Sequence, residues 1–266
     1  MKVVRSALVV TVAVAIGVMV GGAAAAAAAP APSTTLTPAA IPGWAGYYSN
    51  DFEGIASTVV TVPHINCSGN PTGSFEGQAE GVQFLNDFDG STGTSLVGAY
   101  AVVRTYCNGA TATYDTAFFM PPPADNVTDY VPSSVAVRPG DRVLVSVTVS
   151  STSSSASIRD LSRRSATSFA HGAAVTDAGP NIGIVALGLP SGGADVIGAP
   201  NGVSSVPPPV PSSTVSFTYS EAGGKALVDM PGLAAQEWTN SSDSSEVYAA
   251  PSPLSGGSNF AVIVPG

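Results

Sequence analysis

Strict alternation of apolar and polar side chains marks the segment RVLVSVTVS at residues 142–150. Its four valines fall on one side, and Leu144, Ser146 and Thr148 fall on the other. A two-residue period is typical of a β-strand with one buried face. Similar segments recur between turns rich in Gly, Pro, Asn and Ser, namely IASTVVTVP, TATYDTAFFM, STVSFTYS and NFAVIVPG. The sequence therefore predicts one all-β domain over residues 43–266, either a sandwich or a barrel.

The N-terminal segment has the organisation of a secretory leader. Lys2 and Arg5 precede an apolar run from Leu8 to Val20, and an alanine tract follows that ends at Ala29. This order predicts a signal peptide over residues 1–29. The charge-free stretch is also long enough for an uncleaved anchor, but the alanine tract favours cleavage. We expect a protein that is secreted or lies at the cell envelope, without stable membrane insertion after cleavage.

The next segment, PAPSTTLTPAAIP at residues 30–42, is uncharged and rich in Pro, Ala and Thr. This composition predicts a disordered linker between the leader and the domain. A second segment rich in Gly, Pro and Ser, at residues 191–212, predicts a long surface loop.

The chain is acidic, with 9 basic and 18 acidic residues and a formal net charge of −9. An acidic surface poor in lysine argues against nucleic acid and against anionic membranes as partners. The only histidines, His64 and His171, do not have the spacing of metal ligands. We therefore predict no metal and no cofactor, and we expect a monomer.

Two cysteines, Cys67 and Cys107, are present. In an exported chain such a pair most simply forms one disulfide. The bond would close a loop of about 40 residues and stabilise the fold by about 3–4 kcal/mol in the chain-entropy model.

Six local motifs occur in a characteristic order along the domain. They are GWAGY at 43–47, DFEGIASTVVTVP at 51–63, FDGSTGTSLV at 88–97, TYDTAFFMPPP at 113–123, VRPGDRVLVSV at 137–147 and PSPLSGGSNFAVIV at 251–264. The series resembles the glutamic peptidases, or eqolisins, a family of secreted acid proteases. The resemblance runs from Trp44 to the C-terminus. It implies a concanavalin-like β-sandwich of two curved antiparallel sheets, with the substrate groove on the concave face of one sheet.

The resemblance also implies a catalytic glutamine and glutamate on that face. The glutamate would act as general base and then as acid, and the glutamine amide would stabilise the oxyanion. Here TSLV is followed by Gly98, which takes the glutamine's place, or Val97 does if the register slips by one. In NIGIVALGLP at 181–190, Ile182 takes the glutamate's place, and no Asp or Glu occurs between Asp177 and Asp195. We therefore predict that the catalytic pair is lost.

Two alternatives weigh against this interpretation. Gly98 by itself is equally compatible with a β-bulge. The segment AAQEWT at 234–239 contains Glu237 next to Trp238, and this glutamate is a rival candidate for the acid. Even then the glutamine would be missing.

Several residues remain as candidates to face or rim the concave sheet: Trp44, Asp89, Tyr100, Tyr114 and Asp115. Trp44 could instead be a packing anchor, and Asp89 could merely cap a turn. Aromatic rings with a few carboxylates on a concave β-face suit a peptide or glycan ligand.

Three functions follow from these observations. The leading hypothesis is a non-catalytic protein that uses the old groove for binding or serves at the cell envelope. The runner-up is an acid endopeptidase whose catalytic pair lies elsewhere in the sequence. The third is a purely structural surface protein without a ligand.

Overall fold

The structure of the protein is a computed structural model. It describes residues 39–40, 44–50, 54–68, 77–86, 98–120, 129–150, 152–163, 166–173, 181–188, 214–240, 243 and 245–264. The first strands are β1 (Ala39–Ala40), β2 (Trp44–Asn50), β3 (Gly54–Thr61), β4 (Gly77–Asn86), β5 (Gly98–Asn108), β6 (Thr111–Met120), β7 (Asp129–Pro132) and β8 (Arg142–Val149). The others are β9 (Ser154–Asp160), β10 (Thr167–Gly172), β11 (Asn181–Gly188), β12 (Val215–Ala222), β13 (Lys225–Ala226), β14 (Ala234–Thr239), β15 (Val247–Pro251) and β16 (Phe260–Ile263). A short 3₁₀ helix covers Leu227–Asp229.

These strands form two antiparallel sheets. Sheet A has the order β14-β2-β11-β4-β5-β6-β7, and sheet B has the order β10-β9-β8-β3-β12-β16-β15. Strands β14 and β15 pair with each other and join the two sheets. Two short strands lie off this path: β13 pairs with β12, and β1 pairs with β14 in parallel. The predicted all-β sandwich of two antiparallel sheets is confirmed.

The core lies between the two sheets. It explains why apolar and polar residues alternate along β8, since only one face of this strand contacts the core. Val143, Val145, Val147 and Val149 are buried, whereas Thr148 on the other face is exposed. The valines share one apolar cluster with Ala99, Ala101 and Val103 of β5. Fully burying a side chain of this size stabilises the fold by about 1.5–3 kcal/mol. The strict alternation in the sequence therefore identifies the face of β8 that holds the sheets together.

Three aromatic rings connect the sheets at the other end of the core. Phe217 of β12 stacks on Phe260 of β16 at 4.7 Å between ring centroids. Tyr47 of β2, in sheet A, meets Phe260 edge-on at 4.9 Å. The Tyr47 hydroxyl donates a hydrogen bond of 2.8 Å to the carbonyl of Ser252. This bond lets a buried tyrosine keep a polar partner while its ring packs in the core.

The predicted disulfide between Cys67 and Cys107 is confirmed, with 5.5 Å between the two Cα atoms. It connects the segment that follows β3 to the end of β5. Ile65 packs with the two cysteines, and Ala112 and Tyr114 lie against this small cluster. The bond therefore anchors the β5–β6 hairpin of sheet A to a segment that leaves sheet B.

Parts of the predicted organisation lie outside the described residues. These are the signal peptide over 1–29 and the loop over 191–212. Of the predicted linker over 30–42, the structure describes Ala39 and Ala40, and they form β1 against Gln236 and Glu237. None of the helices in the described part of the chain could cross a membrane.

Candidate functional site

Sheet A has one face in the core and one face away from it, which we call the outer face. On β5, Ala99, Ala101 and Val103 belong to the core. Because side chains alternate along a strand, Gly98, Tyr100, Val102 and Arg104 occupy positions on the outer face. Residues directly opposite each other on neighbouring strands share a face, and we refer to such a row as a level of the sheet.

Gly98 and Ile182, the two positions that the sequence resemblance assigns to a catalytic pair, lie at one level of the outer face. Leu85 of β4 pairs with Gly98 of β5 on one side and with Ile182 of β11 on the other. Two inter-strand spacings separate the backbones of Gly98 and Ile182, which is about 10 Å. Asn50 of β2 pairs with Ile182 and continues the level. Two positions that are remote in the sequence are thus neighbours across one strand.

Gly98 is the first described residue of β5. Residues 98–106 pair one for one with residues 85–77 of β4, without a register shift over this stretch. A β-bulge would place two residues opposite one. From Gly98 onwards the pairing therefore follows a regular antiparallel ladder.

An aromatic row crosses three strands at the next level of the outer face. Tyr100 of β5 lies opposite Phe119 of β6, and Phe119 lies opposite Tyr130 of β7. The ring centroids are 5.9 Å and 5.6 Å apart, and both contacts are edge-on. Tyr100 is 3% exposed and Tyr130 is 48% exposed. The row therefore runs from a buried ring to an accessible one at the edge of the sheet.

An ion pair lies beside the aromatic row. Arg104 of β5 is opposite Asp115 of β6, and it donates from Nε to Oδ1 at 2.7 Å and from Nη2 to Oδ2 at 2.6 Å. Nη2 also donates to the Tyr130 hydroxyl at 2.9 Å, and the guanidinium carbon lies 4.7 Å from the centre of the Tyr130 ring. This bidentate geometry fixes both side chains in one plane. The pair carries no net charge.

Burial and the ion pair shift the pKa values of three groups in this region. Burial alone would lower the pKa of Arg104, but the hydrogen bond and charge of Asp115 outweigh it, so the pKa is raised. Burial also raises the pKa of Tyr100. The pKa of Tyr106, next along the outer face of β5, is raised by burial and further by the charge of Asp115. All three groups therefore keep their protons at neutral pH.

The candidate residues from the sequence are not all brought together. Trp44, Tyr100 and Asp115 lie on the outer face, and Trp44 is buried there at the level of Arg104, three strands away. Tyr114 lies on the opposite face of β6, because it alternates with Asp115. Its hydroxyl accepts a hydrogen bond of 3.3 Å from the backbone N–H of Ile65, beside the disulfide. Asp89 lies outside the described residues.

The rival acid Glu237 lies on β14, at the far end of sheet A from β5. Four inter-strand spacings separate these strands, which is about 19 Å along the sheet. Glu237 pairs with Ala40 of β1, and its neighbour Gln236 is opposite Gly46 of β2. Strand β11, which carries Ile182, is two spacings from β14, but Gln236 pairs with Gly46, four residues along β2 from the Asn50 that pairs with Ile182. Glu237 is therefore displaced both across and along the strands from the level of Gly98 and Ile182.

Sequence reasoning missed three residues of the outer face, Arg104, Phe119 and Tyr130. The two-residue turn between Asn108 and Thr111 fixes the register of the β5–β6 hairpin and places Arg104 opposite Asp115. The Asn-Gly sequence at 108–109 was the available signal for this pair. For Tyr130, the connection from β6 to β7 carries no comparable turn signal.

No metal centre is evident in the part of the chain that the structure describes, since no three His, Cys, Asp or Glu side chains cluster there. The outer face offers aromatic rings, hydroxyls and one guanidinium–carboxylate pair. These groups can bind a ligand by stacking and hydrogen bonding, and each oxygen of the described carboxylate among them already accepts one hydrogen bond from the arginine.

Comparisons with known proteins relate this chain to a peptidase family. A family model described as the Peptidase A4 family matches residues 42–179, slightly more than half of the chain. The crystal structure of Scytalido-glutamic peptidase with a peptide-based transition state analog is similar, with a TM-score of 0.54 and 18% identity over 85% of this chain and 100% of that chain. A second structure, of scytalido-glutamic peptidase with a transition state analog inhibitor, gives a TM-score of 0.53 with the same identity and coverage. No curated protein sequence matches the chain. At this identity the likeness shows that the β-sandwich fold is shared.

Proposed function

Because this chain belongs to the Peptidase A4 family, we propose that it is a non-catalytic member that binds a peptide or glycan on the outer face of sheet A. The protein acts outside the cell or at the cell envelope. The leader-like sequence of residues 1–29 supports this location. If the leader is cleaved, the protein recovered from culture medium begins between Ala24 and Ala31, which intact mass measurement tests. A membrane-embedded form that retains Met1 would contradict the location.

The level shared by Gly98 and Ile182 carries the proposal of inactivity. Glutamic peptidase chemistry needs an amide to stabilise the oxyanion and a carboxyl to activate water. Glycine and isoleucine provide neither group. Loss of one oxyanion donor commonly lowers the rate by about 10²–10³, and loss of a general base by about 10²–10⁴.

The nearby carboxylate does not substitute for the missing acid. Both oxygens of Asp115 accept hydrogen bonds from Arg104. A carboxylate held in this way is a structural partner, because taking a proton from water would require it to give up the arginine. The rival acid, Glu237, lies four strands away from β5. These placements support a binding role for the outer face.

The test is digestion of denatured casein between pH 3 and pH 5 by purified protein that lacks the leader, with Scytalido-glutamic peptidase as the positive control. A glutamate base near its reference pKa of about 4.3 exchanges protons in this range. We expect no cleavage. Cleavage that is abolished by Glu237→Gln would establish an acid peptidase with a different catalytic pair. Cleavage that survives Glu237→Gln would also overturn the proposal and would indicate another chemistry.

A further inference from the structure

The accessible end of the aromatic row combines an exposed ring with a charge-balanced ion pair. We propose that this cluster of Tyr130, Arg104 and Asp115 binds a neutral oligosaccharide, with one sugar ring against Tyr130 and its hydroxyls on the ion pair. This inference rests on the proposed binding function of the outer face and specifies the class of ligand.

Tyr130 is exposed but held in place. Phe119 contacts its ring edge-on at 5.6 Å, the Arg104 guanidinium lies 4.7 Å from its centre, and its hydroxyl accepts a hydrogen bond from Arg104. Nearly half of the residue, 48%, remains accessible. A ring fixed before binding loses little conformational freedom when a ligand stacks on it. The C–H face of a pyranose is apolar and suits the electron-rich face of such a ring.

The ion pair retains hydrogen-bonding capacity beside this ring. Arg104 uses Nε and Nη2 for Asp115 and Tyr130, and among the described residues no partner contacts its Nη1. The Asp115 side chain is 33% exposed, and of the roughly four acceptor sites on its two oxygens Arg104 uses two and the Tyr106 side chain one. A donor and an acceptor therefore lie side by side at the surface. Neighbouring sugar hydroxyls each donate and accept, so they can satisfy both groups at once.

The charges favour a neutral ligand. Arg104 and Asp115 cancel within the cluster, and an anionic group bound at Nη1 of Arg104 would lie close to the Asp115 carboxylate and be repelled by it. The chain also carries a net charge of −9, which repels anionic polymers. A cationic group that approached the carboxylate would be repelled by the Arg104 guanidinium beside it. Uncharged hydroxyls are repelled by neither group.

The sheet surface also favours a glycan over a peptide. Within sheet A, β5 pairs with β4 and β6 along most of its length, and the Ala117–Met120 part of β6 pairs with β7, so the backbone groups beneath Tyr100 and Phe119 are already used. A peptide lying on this face would leave its own N–H and C=O groups without backbone partners, which costs free energy once they are removed from water. A sugar hydroxyl that does not contact the protein can stay in water, because the cluster lies at the exposed edge of the sheet.

Isothermal titration calorimetry of the leader-free protein at pH 7 tests the inference. The probes are cellohexaose, mannohexaose and the hexamer of N-acetylglucosamine, with hexagalacturonate as the anionic control and a casein-derived decapeptide as the peptide control. We expect at least one neutral hexasaccharide to bind and both controls to fail. Absence of binding by all three neutral probes, or tighter binding of hexagalacturonate, would overturn the inference.

Three variants locate the site. Tyr130→Ala should weaken binding of the neutral probe at least tenfold, whereas Tyr130→Phe, which keeps the ring, should change it less than threefold. Phe169→Ala removes an aromatic residue that is 67% exposed on β10 of sheet B, and should leave affinity unchanged. Equal binding by wild type and Tyr130→Ala, with both folded by thermal melting, would contradict this site. If only the peptide binds and Tyr130→Ala abolishes it, the glycan inference fails while the proposed binding function stands.

Discussion

Gly98 on β5 and Ile182 on β11 lie at one level of sheet A, separated by a single strand. They are far apart in the sequence, and they meet because β11 inserts between β2 and β4 rather than pairing with its sequence neighbours. The juxtaposition of these two positions is therefore a property of the strand order. The chemistry depends on which side chains occupy the two positions, and here they are a glycine and an isoleucine.

The disulfide gives the first prediction. Reduction of the Cys67–Cys107 bond, or the double change Cys67→Ala and Cys107→Ala, should lower the free energy of unfolding by about 3–4 kcal/mol. The reason is that the bond restricts the unfolded chain over a sequence separation of 40 residues. Urea unfolding of the oxidised protein and of the double variant measures this difference. A difference below about 1 kcal/mol would show that the disulfide contributes little in this fold.

The ion pair gives the second prediction. A double-mutant cycle of Arg104→Gln and Asp115→Asn should give a coupling energy of about 1 kcal/mol. The bidentate geometry favours a larger value, but the partial exposure of Asp115 allows water and salt to screen the charges. The coupling should therefore decrease in 1 M NaCl, where screening acts over about 3 Å. A coupling that is unaffected by salt would indicate that the pair acts through packing and not through charge.

A strand could be predicted from the sequence where only one of its faces is buried. In β8 the alternation is visible in the sequence because the valines contact the opposite sheet while Thr148 meets solvent. The pairing of Arg104 with Asp115 was also within reach, because a two-residue turn fixes a hairpin register locally. The position of Ile182 beside Leu85 could not be predicted from the sequence, because it depends on a non-local strand order that no local preference encodes. The face on which Tyr114 lies also depends on this register. A shift of one residue would move its side chain from the face beside the disulfide to the face that carries Asp115.

Alkaline unfolding gives the third prediction. Burial raises the pKa of Tyr100 above that of an exposed tyrosine, so above about pH 10 the unfolded chain releases a proton that the folded state retains. The stability contribution is fully present below about pH 10 and is lost as pH rises further. The free energy of unfolding should fall by at most about 1.4 kcal/mol per pH unit for this group. Tyr100→Phe should flatten the fall in urea titrations between pH 9 and pH 11.

The control for this prediction is Tyr219→Phe, which changes a tyrosine that is 63% exposed on β12. It should leave the pH dependence as in the wild type. If Tyr100→Phe and Tyr219→Phe have the same effect, the buried phenol does not determine alkaline stability. Absorbance near 295 nm, which reports phenolate, should show Tyr100 ionising together with unfolding.

The last prediction concerns restoration of chemistry at the level of Gly98 and Ile182. Gly98→Gln combined with Ile182→Glu returns an amide and a carboxyl to two positions whose backbones are about 10 Å apart. Both side chains are long enough to approach a substrate bond between them. We expect slow cleavage of denatured casein near pH 4 by the double variant and none by either single variant, because the amide and the carboxyl act in one transition state. The matched control combines Gly98→Gln with Ile182→Gln, which has the same size but no acid, and it should be inactive. Equal cleavage by this control and by the double variant would show that the carboxyl at 182 takes no part, and the assignment of that position to the acid would be wrong.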